Sequence, residues 1–222
     1  MTRVVLKLGG GVASQALGLV RERHSAGDEV VVVHGAGPQI TRELRARGLR
    51  TRFVHGRRYT DAATLAIVRE SLVAVGAELA AALGSTAIHL VGDEIGLVAV
   101  RIPEVGFVGD PLPSAPEAVD HALAAGRIPV VTPVAVGPLN VNADEAAAAL
   151  AAGLGAERLL FVSDVPGVYV DGRVAERLHA DATDELLASG AFEGGIVPKL
   201  LAAARAARLG IAAEIGETAV VA

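Results

Sequence analysis

The chain contains no cysteine and no tryptophan, and aromatic residues make up only 3% of it. Without thiols it can form no disulfide, no zinc–thiolate centre and no cysteine nucleophile. So few aromatic side chains leave no stacking platform for single-stranded nucleic acid, and a formal net charge of -5 disfavours a nucleic-acid backbone as partner. No apolar run approaches the roughly 18 residues that span a bilayer, so no membrane partner is expected. The first apolar segment starts almost at Met1, which leaves no room for a targeting peptide. The expected setting is cytoplasmic, and the expected ligand is a small molecule.

What is present is a large apolar content, 52% of 222 residues, enough to bury the core of one large α/β domain. Apolar runs near 3–8, 29–34, 128–132 and 158–163 alternate with helical patterns near 13–24, 38–47, 61–83, 116–125, 143–154, 183–189 and 197–208. That rhythm predicts βαβ units in one continuous, mainly parallel sheet, followed by a terminal strand pair. Leu65, Val68, Leu72, Val75 and Leu79 recur at helical spacing, with Thr60 placed to cap the helix and Gly84 to end it. Three extended pieces near 87–91, 97–101 and 106–108 read as a hairpin over a site. The alanine-rich stretch 143–156 has the propensity of an ordered helix.

Two apolar runs lead straight into glycine turns, Lys7-Leu8-Gly9-Gly10-Gly11 and His34-Gly35-Ala36-Gly37. Small residues there let backbone N–H groups approach an anionic oxygen, and Lys7 adds a positive charge at the same strand end. Neither turn completes G-x-G-x-x-G, which sets the pair apart from a dinucleotide fold. Lys7, if buried, must meet a carboxylate or an anionic ligand. Asn140 and Asn142 lie two apart on an extended segment and can address one ligand, whereas Asp144 at the following helix start serves equally well as a cap or as a catalytic group. Lys199, in the first turn of a helix after Gly194-Gly195, is placed against the helix dipole, and an anion would compensate. Arg58 is suited to a bidentate carboxylate clamp. His34 reads as a structural histidine, and no set of histidines has metal spacing.

The motifs K-L-G-G, H-G-x-G, R-Y-T-D, N-V-N-A-D, S-D-V-P-G-V and G-G-I-V-P-K occur in an order that resembles the amino acid kinase family, and within it the acetylglutamate kinases. The resemblance implies a three-layer αβα sandwich around a mainly parallel sheet. It implies a single domain, 1–222, with an acid-binding lobe up to about residue 137 and an ATP-binding lobe beyond it. The implied reaction is transfer of a phosphoryl group from ATP, with Mg²⁺, to the side-chain carboxylate of N-acetyl-L-glutamate, a step of arginine biosynthesis. By motif, Lys7, Asp144, Lys199 and the backbone amides of Gly10 and Ala36 would carry catalysis. Arg58, Asn140, Asn142, Gly35 and Gly37 would bind the acid; Ser163, Asp164, Val165, Gly167, Gly195 and Lys199 would bind the nucleotide. Ala36 stands where the family has glycine, and the hairpin expected to cover the acid is short. No helix precedes the first strand, so a homodimer insensitive to arginine is expected. Two other readings stay open: a kinase of the same fold acting on another small acid, such as an aminoadipate derivative, and a weakened relative that binds nucleotide or metabolite as a regulator.

Overall fold

The computed structural model describes residues 1–9, 13–54 and 56–222. Its centre is an eight-stranded sheet built from β1 (Arg3–Leu8), β2 (Glu29–His34), β3 (Ala87–Val91), β4 (Ile128–Thr132), β5 (Arg158–Val162), β6 (Arg177–His179), β7 (Ala212–Ile215) and β8 (Thr218–Val221). In space the order is β6-β8-β7-β5-β1-β2-β4-β3, and all neighbours are parallel except β7 and β8. The chain grows from β1 through β2 toward one edge and later returns to place β5 on the other side of β1. The carboxyl ends of β1 and β5 therefore flank a topological switch point, where open α/β sheets leave a crevice for ligands.

Helices α1 (Ala13–Ser25), α2 (Gly37–Ala46) and α3 (Ala62–Leu83) cover one face, and α4 (Glu117–Ala124), α5 (Ala143–Gly153) and α7 (Ile196–Arg208) the other, with α6 (Ala180–Ala188) packed on α7. Strand alternation divides the core accordingly. Val4, Leu6 and Leu8 pack with α2 and α3, whereas Val5, Val31 and Val33 pack with α5 and α7. The sandwich and its mainly parallel sheet agree with expectation.

The alanine-rich helix is the most enclosed. Ala146 to Ala151 are all buried, because α5 lies against β1, β2 and β5 on one side and α7 on the other. Alanine on every side lets these elements approach closely, which brings the start of α5 near the start of α7. In α3 the five apolar positions read from spacing are all buried, each contributing about 1.5–3 kcal/mol relative to exposure. Its cap is Asp61 rather than Thr60: the Asp61 carboxylate accepts from the Thr64 N–H at 2.8 Å.

Two departures concern the short strands. Segment 87–91 is β3, the edge of the main sheet, and belongs to no hairpin. Ala99–Arg101 and Val108–Pro111 do form an antiparallel pair, joined by Leu139–Val141 and Val134–Ala135 into a separate four-stranded sheet. A second hairpin, Phe53–Val54 with Arg57–Arg58, turns through Gly56 at φ +75°, a left-handed conformation that glycine adopts without strain.

Candidate active site

Lys7 follows Val5 onto the α5 and α7 side of β1 and is only 5% exposed, so its ammonium must be compensated inside the protein. Its Nζ lies 2.8 Å from Asp144 Oδ1 in the first turn of α5. Lys199, in the first turn of α7, places its Nζ 3.8 Å from the same oxygen and donates to the Gly195 carbonyl at 3.2 Å. Burial holds the Lys199 ammonium below its ordinary pKa, the Asp144 charge opposes this and Lys7 adds to it, while Asp164 offers a more distant counter-charge. Two cations thus share one buried carboxylate. The excess positive charge sits at the carboxyl end of β1, where an anion would balance it.

The capping question left open by sequence is settled by Asn142, whose side chain accepts from the N–H groups of Asp144 and Glu145. Asp144 is released from capping and turns to the lysines. Asn142, expected to bind ligand, uses its side-chain oxygen on the helix, although it still lines the adjoining cavity.

That cavity has a volume of about 240 Å³ and is bounded by Gly35, Ala36 and Gly37 at one end and by Arg58, Asn140 and Asp144 elsewhere. It is smaller than the about 300–1,000 Å³ that accommodates drug-sized ligands. Helix α2 starts at its edge with Ala36 as N-cap and no capping side chain, so its first N–H groups lack acceptors within the helix and favour an anion. Ala36 takes φ -138°, which suits alanine, and its methyl group is buried away from solvent. Gly10 lies outside the described residues.

Arg58 is buried without an acidic partner among the described residues. Its guanidinium stacks over Phe53, 4.9 Å from the ring centroid, and donates to Thr51 Oγ1 at 3.1 Å and Thr41 Oγ1 at 3.0 Å. Burial lowers its pKa, and a ligand carboxylate would supply the missing counter-charge. Thr60, which is not the helix cap, connects two candidate residues: it accepts from Asn140 Nδ2 at 3.1 Å and donates to the Arg58 carbonyl at 2.8 Å. Thr41, Thr51 and Phe53 went unrecognised in the sequence, and Thr60 carries there only the signal of a cap, since an isolated threonine or phenylalanine has no pattern that shows what it will touch. The cavity wall is the Phe53–Arg58 hairpin; of the hairpin expected to cover it, Val108 alone lines it.

Arg57, pointing away from Arg58's partners, pairs with Glu145 Oε1 at 2.6 Å and approaches Asp110 at 3.5 Å. Burial raises the Glu145 pKa, and Arg57 opposes that shift. On the other side of β1, Ser163, Asp164, Val165 and Gly167 form the turn after β5. Gly167 packs where a Cβ would come within 2.7 Å of Thr218 Oγ1, so the turn is held against the β7–β8 hairpin. Asp164 and Val165 are exposed there, as is Gly195 at the start of α7.

His34 faces the opposite side of the sheet from Lys7. Burial, with the charges of His89 and Lys7, lowers its pKa to about 4, and its Nε2 lies 3.3 Å from Thr132 Oγ1. It is a neutral structural group. Among the described residues no cluster of three or more histidine and carboxylate side chains could hold a metal ion, and no helix is long and apolar enough to cross a membrane.

The chain is similar over most of its length to known proteins. Acetylglutamate kinase from Koribacter versatilis is 37% identical over 231 residues, covering 94% of this chain and 87% of its own. The Rubrobacter xylanophilus acetylglutamate kinase is 39% identical, covering 97% and 88%. The solved structure of smu.665 from Streptococcus mutans superposes with a TM-score of 0.91 at 25% identity, covering 99% of this chain and 98% of that one. The profile of the amino acid kinase family matches residues 2–217, and the chain belongs to that family.

Proposed function

We propose that the protein is an ATP-dependent kinase that phosphorylates the side-chain carboxylate of N-acetyl-L-glutamate, giving an acyl phosphate for arginine biosynthesis. The observation that carries this reading is the pair of lysines sharing Asp144 beside a small cavity with an uncapped helix start at one end and, in its wall, Arg58, which has no acidic partner among the described residues. The relatives that match most of the chain carry the same activity in their names.

The chemistry suits these residues. A carboxylate nucleophile is already ionised, so transfer needs no general base; Asp144, the carboxylate that lines the cavity, is engaged by the two lysines, and His34 is neutral and on the far side of the sheet. What transfer requires is alignment of two anions and neutralisation of charge on the moving phosphoryl group. Arg58 would hold the α-carboxylate and Asn140 the amide region of the acid, with Asn142 and the Gly35–Gly37 turn forming the pocket. Lys7, Lys199 and the N–H groups around Ala36, with Gly10, would face the transferred group, and Asp144 would fix the spacing of the lysines. Ser163 to Gly167 and Gly195 would border the nucleotide, whose Mg²⁺ would be held by phosphate oxygens and would neutralise part of their charge. The acid side then draws mostly on residues up to about 137, completed by Asn140 and Asn142, and the nucleotide side on residues beyond. A cytoplasmic homodimer belongs to the same proposal, and light scattering tests the dimer.

The direct test is hydroxylamine trapping of acyl phosphate from purified protein with Mg·ATP, comparing N-acetyl-L-glutamate with glutamate, aspartate and aminoadipate. Hydroxamate is expected with N-acetylglutamate; silence with every acid despite ATP binding would reject the reading in favour of a regulatory protein.

A further inference from the structure

Beside the 240 Å³ cavity lies a second one of about 460 Å³, and the two share Gly56, Arg57 and Asn142 in their walls. Glu145 lines only the second cavity, so the Arg57 side chain, bound to Glu145 Oε1 at 2.6 Å, extends from the boundary of the first into the second. Asn142, the other shared side chain, is fixed by its two helix-capping bonds. Phe192, Val197, Pro198 and Leu201 give the larger cavity its apolar lining, with Glu193 beside them. An ion pair thus separates the pocket that holds Arg58 and Asn140 from a larger and more apolar space.

We propose that the Arg57–Glu145 pair is the partition that restricts the acid substrate to a short acyl group, and that opening it admits N-acyl glutamates with a longer aliphatic chain. This rests on the acid-kinase reading above. Arg57 is held by two carboxylates, Glu145 and Asp110, the second also 3.6 Å from Arg205 on α7, so the partition is tied to both helices of the second cavity. An acyl chain longer than acetyl has to displace this pair. With the pair removed, the same chain meets the apolar lining.

The test compares wild type with Arg57→Ala/Glu145→Gln, which removes both charges together, on N-acetyl-, N-butyryl- and N-hexanoyl-L-glutamate. Hydroxamate formation gives kcat/KM and calorimetry gives Kd. Discrimination of one methylene in an apolar pocket is worth about tenfold or more, so the hexanoyl-to-acetyl ratio is expected to rise at least about tenfold in the double variant. Arg57→Lys, which can keep the ion pair, is expected to retain the wild-type ratio. Should the double variant fail to fold, Arg57→Ser with Glu145 in place reads the same ratio. An unchanged ratio, or equal loss for all three acids, would overturn the partition. Wild type that binds acetylglutamate without forming acyl phosphate would reject the proposed reaction, while the Kd ratio would still decide the partition; wild type that binds none of the three would overturn both.

Discussion

Asp144 compensates two ammonium groups at once, and both depend on it differently. Lys7 is nearly inaccessible, whereas the Lys199 side chain retains 14% exposure and has a carbonyl partner as well. Replacing Asp144 by Asn leaves Lys7 buried and repelled by Lys199. Removing one partner of a buried pair costs about 3–5 kcal/mol, so Asp144→Asn is expected to lower unfolding free energy by that order and to abolish turnover, as urea denaturation and hydroxamate assays would show. Lys199→Ala should behave otherwise. It removes a preorganised donor without stranding a buried charge, and is expected to reduce turnover by about 10²- to 10³-fold while the melting temperature stays close to wild type. Near-normal turnover would remove Lys199 from the proposed mechanism.

At the scale of elements, the long helices and central strands were legible because each repeats a pattern over many residues. The apolar spacing in α3 and the runs ending at Leu8 and His34 needed no distant information. Lys7, Asp144 and Lys199 were recognisable as charges in unfavourable local positions. Their common meeting point was not, since it depends on how α5 and α7 pack. The Phe53–Arg58 hairpin escaped notice because two-residue strands are too short to show alternation. Glu145 escaped too, since its partner Arg57 lies far away in the chain. Gly76 shows the same limit in α3. A Cβ there would sit 2.4 Å from His89 Nε2, and that ring bonds Thr132 Oγ1 at 2.8 Å. Alanine is the better helix former by about 1 kcal/mol, yet overpacking costs about 1–3 kcal/mol. Gly76→Ala is therefore expected to lower the melting temperature; a rise would mean that the His89 ring yields freely. Asn142→Ala, by contrast, loses a cap and should cost about 1 kcal/mol, measured by chemical denaturation.

For the whole molecule, pH acts through the histidine layer between β2, β3 and β4. The folded protein keeps His34 neutral down to about pH 4, against an ordinary value of 6.5, mainly through burial. His89 is shifted the same way. In the interval between these values the unfolded chain binds more protons, so stability is complete above about pH 6.5 and declines as pH falls toward 4, by up to about 3 kcal/mol for His34. Urea midpoints measured across that interval should fall with acidity, and the fall should be shallower in His34→Gln. An equally steep fall in the variant would assign the acid sensitivity to other groups.

The three charges that define the site come from the first strand, the fifth helix and the last helix of the chain. A ribosome that has made everything up to Asp144 has supplied one cation and one anion, which cancel. The surplus positive charge that would draw a phosphate arrives only with Lys199. The Lys7–Asp144 pair by itself is consequently neutral for most of synthesis, leaving Arg58 as the cavity's separate cation, and the two-lysine attraction for a phosphoryl group arises only when the last helix docks.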